Sequence, residues 1–157
     1  MQRFRKSAFS LIEVIITIVI ISIIAAVAVS KLPKSFDVAN LTKIRSDVGN
    51  IKTAIEVARN NKAIKYIDAS YPSLLDNCAS NIDNCQLFIG VNDYKILKNP
   101  IISASLTNAK SNSWVKMATN KYRVYLNDIK FIDFTYTSST GTFICDQNDA
   151  NCVELLK

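Results

Sequence analysis

The chain contains no histidine among its 157 residues, and only three glycines and three prolines. Without histidine it lacks the commonest general base and a very common metal ligand. With so few glycines it has no glycine-rich phosphate loop and no nucleophile elbow. No stretch is rich enough in Gly, Pro or Ser to form a flexible linker. We therefore expect no catalytic residue, no metal and no cofactor, and the chain is predicted not to be an enzyme.

Charge is missing from most of the N-terminal region. Within residues 9–29 the only ionisable side chain is Glu13. As a helix this run would be roughly 32 Å long, enough to cross the hydrocarbon core of a bilayer. A carboxylate inside such a span is unfavourable unless it is neutralised, so it indicates a functional group with a partner. The preceding Arg3, Arg5 and Lys6 predict a cytoplasmic N-terminus, because basic residues are retained on that side.

The stretch Ala8-Phe9-Ser10-Leu11-Ile12-Glu13 resembles the processing site of type IV pilins and of the pseudopilins of type II secretion and DNA-uptake systems. In that family a short basic leader is removed before a Phe, the new amine is methylated, and Glu is fifth in the mature chain. Counted from Phe9, Glu13 is fifth. The family usually has Gly before the cut, where this chain has Ala8, the next smallest side chain. The resemblance predicts cleavage between Ala8 and Phe9 and N-methylation of Phe9.

Two other interpretations fit parts of this region. A secretory signal peptide also has a basic start, but its apolar core is only about 7–15 residues long and precedes the cut. A plain single-pass anchor explains the length and the flanking charges. It gives no reason for Glu13 to lie four residues after Phe9. The pilin-like interpretation accounts for all three features together.

The resemblance implies an α+β, pilin-like fold, in which a long N-terminal, partly transmembrane helix packs on a C-terminal antiparallel β-sheet. We expect a leader at 1–8, a transmembrane and polymerisation helix at 9–29, an amphipathic continuation at 30–61, and a periplasmic domain at 62–157 with an αβ region and the sheet. The implied location is the inner membrane, single-pass, with the C-terminal domain in the periplasm and later in a filament. The implied partners are prepilin peptidase, other pilin-like subunits of the same or another kind, the inner-membrane assembly platform and the membrane.

Glu13 is predicted to act in assembly. Cleavage would create an α-amine on Phe9 that is largely cationic at neutral pH. In a filament, the amine of one subunit could lie beside Glu13 of its neighbour, so that each charge neutralises the other. A wrong register would leave both charges unpaired in hydrocarbon, so the pair would set register more than it adds stability.

The segment after the span continues as an amphipathic helix. Six apolar residues recur at spacings of three and four and so share one helical face: Leu41, Ile44, Val48, Ile51, Ile55 and Ala58. A coiled-coil seam is one explanation, but barely three heptads favour packing against the chain's own domain. Asn60-Asn61 is the predicted end of the helix.

The C-terminal half is predicted to form strands at 114–117, 122–126, 129–136 and 142–145, where β-branched and aromatic residues are frequent. Ser138-Ser139-Thr140-Gly141 is typical of a hairpin turn. The result would be an antiparallel meander whose apolar face receives the helical stripe. Before it, Ser73-Leu74-Leu75 is a candidate short helix and Leu87-Phe88-Ile89 a candidate short strand.

Four cysteines bound two loops of equal length, Cys78 to Cys85 and Cys145 to Cys152. An oxidising periplasm would favour disulfides. Three pairings are possible from sequence, and we favour the two local ones because each short polar loop closes easily. A zinc site of four thiolates is the rival, although structural zinc usually has two to four residues between paired ligands.

The second loop also contains oxygen ligands that calcium could use, namely Asp146, Asn148 and Asp149. Some secretion pseudopilins hold calcium in a C-terminal loop. This loop has no Gly and matches no calcium-loop spacing, so a solvated turn is the better interpretation.

Two functions follow. The first is a structural pseudopilin that assembles into a periplasmic pseudopilus of a type II secretion system. The alternative is a type IV pilus or DNA-uptake (competence) pilin with a direct DNA-binding or adhesive role. The cations and aromatics that could contact DNA through phosphate and stacking interactions are Trp114, Lys116, Lys121, Tyr122 and Arg123. Alternation on a half-exposed sheet produces the same mixture without any ligand.

Overall fold

The computed structural model describes residues 10–92 and 94–157, and for residues 29–37 it describes the backbone alone. The predicted leader and the predicted cleavage site at Ala8 and Phe9 lie outside the described residues. The chain divides into two compact units, Met1–Phe36 and Asp37–Lys157. We describe each unit by itself and call them the N-terminal unit and the C-terminal unit.

The first helix, α1, is assigned continuously over Leu11–Tyr66. It begins where the carbonyl of Ser10 accepts the N–H groups of Glu13 at 3.0 Å and Val14 at 3.3 Å. In the N-terminal unit the stretch Leu11–Ala28 is long and apolar enough to cross a membrane, with a mean hydropathy of 2.9. At 1.5 Å per residue these residues extend roughly 27 Å. None of that stretch is buried within the protein.

The end of α1 differs from the sequence prediction. The predicted stop at Asn60-Asn61 is wrong, because the helix continues to Tyr66. Contacts with the following loop stabilise the extra turn: Lys62 Nζ lies 2.8 Å from the Asp68 carboxylate and 3.0 Å from the Tyr94 hydroxyl. The chain leaves the helix at Ile67, which has a left-handed φ of 58°.

The apolar stripe of α1 packs against the chain's own C-terminal unit, as predicted. Ile44, Ile51 and Ile55 are fully buried, and Val48 and Ala58 are nearly so. They join one hydrophobic cluster with the inward-facing side chains of the sheet. Trp114 adds a polar link, since its Nε1 donates to Asp47 Oδ2 at 3.4 Å.

The predicted antiparallel meander is also confirmed. Its strands are β3 Trp114–Ala118, β4 Lys121–Tyr125, β5 Phe131–Thr137 and β6 Thr142–Cys145, hydrogen-bonded in the order β3-β4-β5-β6. Burial alternates along β5, with its even-numbered residues buried. The β5–β6 turn ends at Gly141, whose φ is +71° and whose missing Cβ leaves room for the ring of Tyr71. The protein therefore has the α+β, pilin-like fold.

Between the helix and the meander, two short strands form a separate two-stranded antiparallel sheet, β1 Gln86–Leu87 with β2 Ile101–Ile102. The candidate helix at 73–75 is wrong. Backbone carbonyls there bond to distant segments: Ser73 O accepts from Asn120 Nδ2 at 2.9 Å, and Leu75 O accepts from Gly90 N at 2.8 Å. A second helix, α2, spans Ala150–Leu156 after the meander.

Helix α2 was not among the elements predicted from the sequence. Its N-cap is Asp149, whose side chain accepts from the N–H of Asn151 at 2.8 Å. At its other end, Arg45 of α1 donates to the carbonyl oxygens of Leu155 at 2.9 Å and Glu154 at 3.2 Å. Cys152 and Leu155 face the core. These contacts fix α2 beside α1 within the C-terminal unit.

Candidate functional site

The N-terminal part of α1 exposes an apolar surface with one acid on it. Its large aliphatic side chains from Leu11 to Val27 are each between 44% and 79% exposed. Among the residues that the structure describes, the carboxylate of Glu13 has no hydrogen-bond or ion-pair partner. Apolar area of this size is unfavourable in water. The surface is therefore suited to lipid or to other apolar helices.

The other polar side chains of this region need no outside partner. The hydroxyl of Thr17 donates to the carbonyl of Val14 at 2.8 Å, and that of Ser22 donates to the carbonyl of Ile18 at 2.6 Å. Such back-bonding satisfies a hydroxyl inside the helix's own hydrogen-bond ladder. Of the polar side chains in Leu11–Ala28, Glu13 is thus the one that is not satisfied within the helix.

Both cysteine loops are closed by local disulfides, Cys78–Cys85 and Cys145–Cys152. The Cα atoms are 5.9 Å apart in each pair. No cysteine is left free, so the rival site of four thiolates has no ligands. Each bond restricts the unfolded chain and so stabilises the C-terminal unit.

The oxygen ligands of the second loop are used within the loop. Asp146 Oδ1 accepts from the backbone N–H of Asn148 at 2.9 Å, and Asp149 caps α2. In the described part of the chain, no group of three or more His, Cys, Asp or Glu side chains could hold a metal ion. The loop is a hydrogen-bonded turn followed by a helix cap.

The residues predicted as possible DNA contacts do not form a surface. Trp114 and Tyr122 are each 1% exposed, and Lys116 is 5% exposed. The burial of these three side chains argues against direct contact with DNA, because they face the core rather than solvent. Alternation placed them on the covered side of β3 and β4, and loop residues also cover β3: the Asn81 N–H donates to the Lys116 carbonyl at 2.8 Å.

The other two members of that set, Lys121 and Arg123, lie on the outer face of the sheet. Lys121 is exposed. Arg123 is engaged by Asp133, with Nε–Oδ1 and Nη2–Oδ2 distances of 2.7 Å and 2.8 Å, and lies 3.6 Å from the centroid of the Phe131 ring. The hydrogen bonds that Arg123 donates to Asp133 raise the pKa of the guanidinium. One exposed lysine beside a neutralised arginine is a weak electrostatic footprint for DNA.

Sequence reasoning missed a buried polar network. The carboxylate of Asp76 is 1% exposed and accepts from Lys116 Nζ, from the Tyr122 hydroxyl at 2.8 Å, and from the backbone N–H of Cys78 at 3.1 Å. Burial, and then the charge of Asp76, raises the pKa of the Tyr122 hydroxyl far above its ordinary value, so this group stays a donor. Lys116 and Tyr122 follow Asp76 by 40 and 46 residues in the chain. No local sequence pattern therefore indicates this network.

A second polar cluster holds the end of α1 against the following loop. The Lys62 ammonium pairs with Asp68, and it also lies 4.5 Å from the centroid of the Tyr94 ring. The hydrogen bond from Lys62, supported by Ser70, lowers the pKa of Asp68 from 3.8 to about 2. This cluster explains the helix extension without any ligand.

Comparison with known proteins gives a match at the N-terminal end of the chain. Residues 3–29 match the Prokaryotic N-terminal methylation motif, the signature of type IV pilins and pseudopilins. The matched region includes Ala8, Phe9 and Glu13. No curated protein and no solved structure matches the chain.

The matched motif and the fold together support a type IV pilin-like or pseudopilin subunit, which is the resemblance found from the sequence. The motif indicates a structural role, implies processing by a prepilin peptidase and assembly with other pilin subunits, and is consistent with membrane anchoring.

Proposed function

We propose that this protein is a pseudopilin that assembles through its N-terminal helix into a periplasmic pseudopilus of a type II secretion system. Prepilin peptidase would cut between Ala8 and Phe9, and the amine of Phe9 would be methylated. The observation that carries the proposal is the apolar stretch Leu11–Ala28, none of which is buried and which has Glu13 as its one acid. Such a helix is suited first to a bilayer and then to the core of a filament.

Glu13 is the register group in this proposal. The cationic amine of Phe9 in one subunit lies beside Glu13 of the subunit below, an offset of four residues or roughly 6 Å along the helix. The hydroxyls of Thr17 and Ser22 are satisfied within the helix, so they do not compete for either charge. Any other offset leaves both charges in an apolar environment, where an unpaired charge is strongly unfavourable.

The proposed topology has the C-terminal unit in the periplasm. The basic residues at positions 3, 5 and 6 favour retention of the N-terminus in the cytoplasm. The two disulfides support the same orientation, because such bonds persist in an oxidising compartment.

Burial of three predicted DNA contacts weakens the DNA-uptake alternative. The full chain in detergent should bind duplex DNA weakly, and any binding should vanish by about 200 mM salt if only a few phosphates are contacted. Sub-micromolar binding that Lys121→Ala abolishes would favour the uptake role instead.

A chromosomal deletion tests the function. Cells without this protein should retain type II cargo in the periplasm, and the wild-type chain should restore its release. Intact-mass analysis of the complementing protein should show loss of residues 1–8 and one added methyl group. Normal cargo release in the deletion strain would contradict the secretion role; loss of surface pili or of transformation in that strain would point to the alternatives.

A further inference from the structure

The C-terminal unit contains an apolar groove between α1 and α2. Its volume is about 320 Å³, and we call it the Gly49 groove after the glycine in its lining. The lining also includes Arg45, Val48, Lys52, Leu155 and Leu156. It shares four of these residues with an adjoining pocket of about 140 Å³ that reaches Ile144 on β6. Val48 and Leu155 are buried in the floor, whereas Leu156 and Ile144 are each more than half exposed.

The folded chain gives no reason for a glycine at position 49. Gly49 lies in the interior of α1, where glycine is less favourable than alanine. A Cβ at this position would have no heavy atom within 4 Å, so no described part of the chain requires the glycine. A residue without a side chain in the lining of an apolar groove is suited to close approach by something from outside.

The rim of the groove is basic. Arg45 is held by the carbonyl groups of α2, and Lys52 and Lys157 complete the rim. Lys52 is exposed on the same helix, three residues after Gly49. An occupant that combines an aliphatic side chain with a neighbouring carboxylate would complement both the floor and the rim.

The hairpin between β4 and β5 has this combination at its tip. Ile129 is 86% exposed, and Asp128 beside it is exposed and has no ion-pair partner among the residues that the structure describes. The turn is rigid, since Asn127 Oδ1 accepts the N–H groups of Ile129 at 3.0 Å and Lys130 at 2.8 Å. The other exposed isoleucines of the C-terminal unit lack a free neighbouring acid: next to Ile67, Asp68 is paired with Lys62, and next to Ile82, Asp83 accepts from Ser105.

The residues that flank the tip lie beside a different part of α1. Leu126, Asn127 and Lys130 line a pocket with Val38 and Leu41, about two to three helical turns before Gly49. A contact between the tip of one copy and the groove of another therefore joins two different surfaces. Repetition of such a heterologous contact produces an open filament unless the rotation closes a ring.

We propose that the Asp128–Ile129 tip of one copy docks in the Gly49 groove of a second copy, with Ile129 over Val48 and Leu155 and Asp128 facing Lys52. The inference rests on the proposed filament function and adds a contact between C-terminal units to the one made by the N-terminal helices. The two copies are displaced by roughly 12–16 Å along α1, so that the tip of the outer copy meets the groove of the inner one. This displacement is two to three times the roughly 6 Å offset proposed at Glu13, so the two contacts join different pairs of subunits.

Cysteine cross-linking in membranes tests the contact with the full chain. Gly49→Cys combined with Ile129→Cys should give covalent dimers and longer ladders under mild oxidation, because the four native cysteines are already paired. Each single variant should stay monomeric. The matched control, Gly49→Cys with Ile64→Cys, uses another isoleucine that is 84% exposed and should give no ladder.

Charge reversal sharpens the test. Asp128→Lys or Lys52→Glu in the cross-linking background should lower the dimer yield about two- to fivefold, as expected for an exposed ion pair. Both changes together should restore it. A double reversal that stays as low as the single variants would overturn the Asp128–Lys52 contact.

A second cysteine pair on the N-terminal helix separates this inference from the proposed function. Ile12→Cys with Ile16→Cys reports the four-residue stagger of the helices. Ladders from that pair without any from positions 49 and 129 would overturn the groove contact and leave the filament intact. Loss of both ladders would contradict the filament and the groove contact together. Adducts that contain only another protein would show that the groove is not occupied by a second copy of this chain.

Discussion

The two parts of α1 contain similar aliphatic residues, but only one part buries them within the protein. In the C-terminal unit, Ile44, Ile51 and Ile55 are fully covered by the chain's own sheet. In the N-terminal unit, none of Leu11–Ala28 is buried. The difference arises from pattern: a stripe spaced three and four residues apart serves one covering surface, whereas a helix apolar on all sides needs an apolar environment all around. One helix thus contributes to a folded unit at one end and exposes an apolar surface at the other.

The largest effect is expected where a charge is buried inside the C-terminal unit. Asp76→Ala leaves the Lys116 ammonium buried without a counter-ion and should destabilise the fold by about 3–5 kcal/mol. Chemical denaturation of the full chain in detergent, followed by the fluorescence of Trp114, measures the change.

The matched control removes an acid from an exposed pair. Asp133→Ala breaks the contact with Arg123 on the outer sheet face, and the expected loss is about 0–1 kcal/mol. Equal losses in the two variants would show that the network around Asp76 has no special role in stability.

Core truncation gives the next effect and addresses the comparison between the two ends of α1. Ile51→Ala removes a fully buried side chain and should destabilise the C-terminal unit by about 2–5 kcal/mol. Ile20→Ala, at a site that is 51% exposed, should leave the same transition unchanged. A comparable loss from Ile20→Ala would mean that the N-terminal helix contributes to the core.

The smallest effect concerns the end of α1. The pKa of Asp68 is lowered to about 2 in the folded chain, chiefly by its hydrogen bond from Lys62. A carboxyl whose pKa is lower in the folded state contributes stability above its unfolded pKa, and the contribution is lost as pH falls through the folded value. Asp68→Asn should therefore lower the melting temperature slightly at pH 7, and the difference from wild type should disappear between about pH 4 and 2. A difference that persists at the acid end would assign the effect to something other than this carboxylate.

The sequence predicted those parts of the structure that have a local period. The stripe from Leu41 to Ala58 and the alternation around Phe134 each repeat often enough to define a face. The seven-residue α2 is too short to show such a period, although Asp149 before Ala150 is a typical N-cap signal that would have indicated it. Asp76 could not be paired with Lys116 from sequence, because only the tertiary fold brings β3 to the loop before Cys78.

The same limit explains why the residues predicted as possible DNA contacts do not share one exposed face. Trp114, Lys116 and Tyr122 alternate in a way that is typical of one exposed and one covered face, but the sequence does not say that loops cover β3 from outside. Burial of a lysine depends on a distant acid, and the partner of Lys116 lies 40 residues earlier. Residue types alone therefore left open an exposed basic patch where the fold has a buried ion pair.

The most direct test of the central claim is the role of Glu13 in assembly. Ile12→Cys with Ile16→Cys is cross-linked in membranes of cells with an active prepilin peptidase, in the wild-type background and with Glu13→Gln. Ser22→Ala is the matched control, because it removes a polar group that is already satisfied within the helix. If Glu13 fixes the register, ladders form with Glu13 and with Ser22→Ala, and only mature monomer is found with Glu13→Gln. Ladders of normal intensity in Glu13→Gln would contradict this role of Glu13.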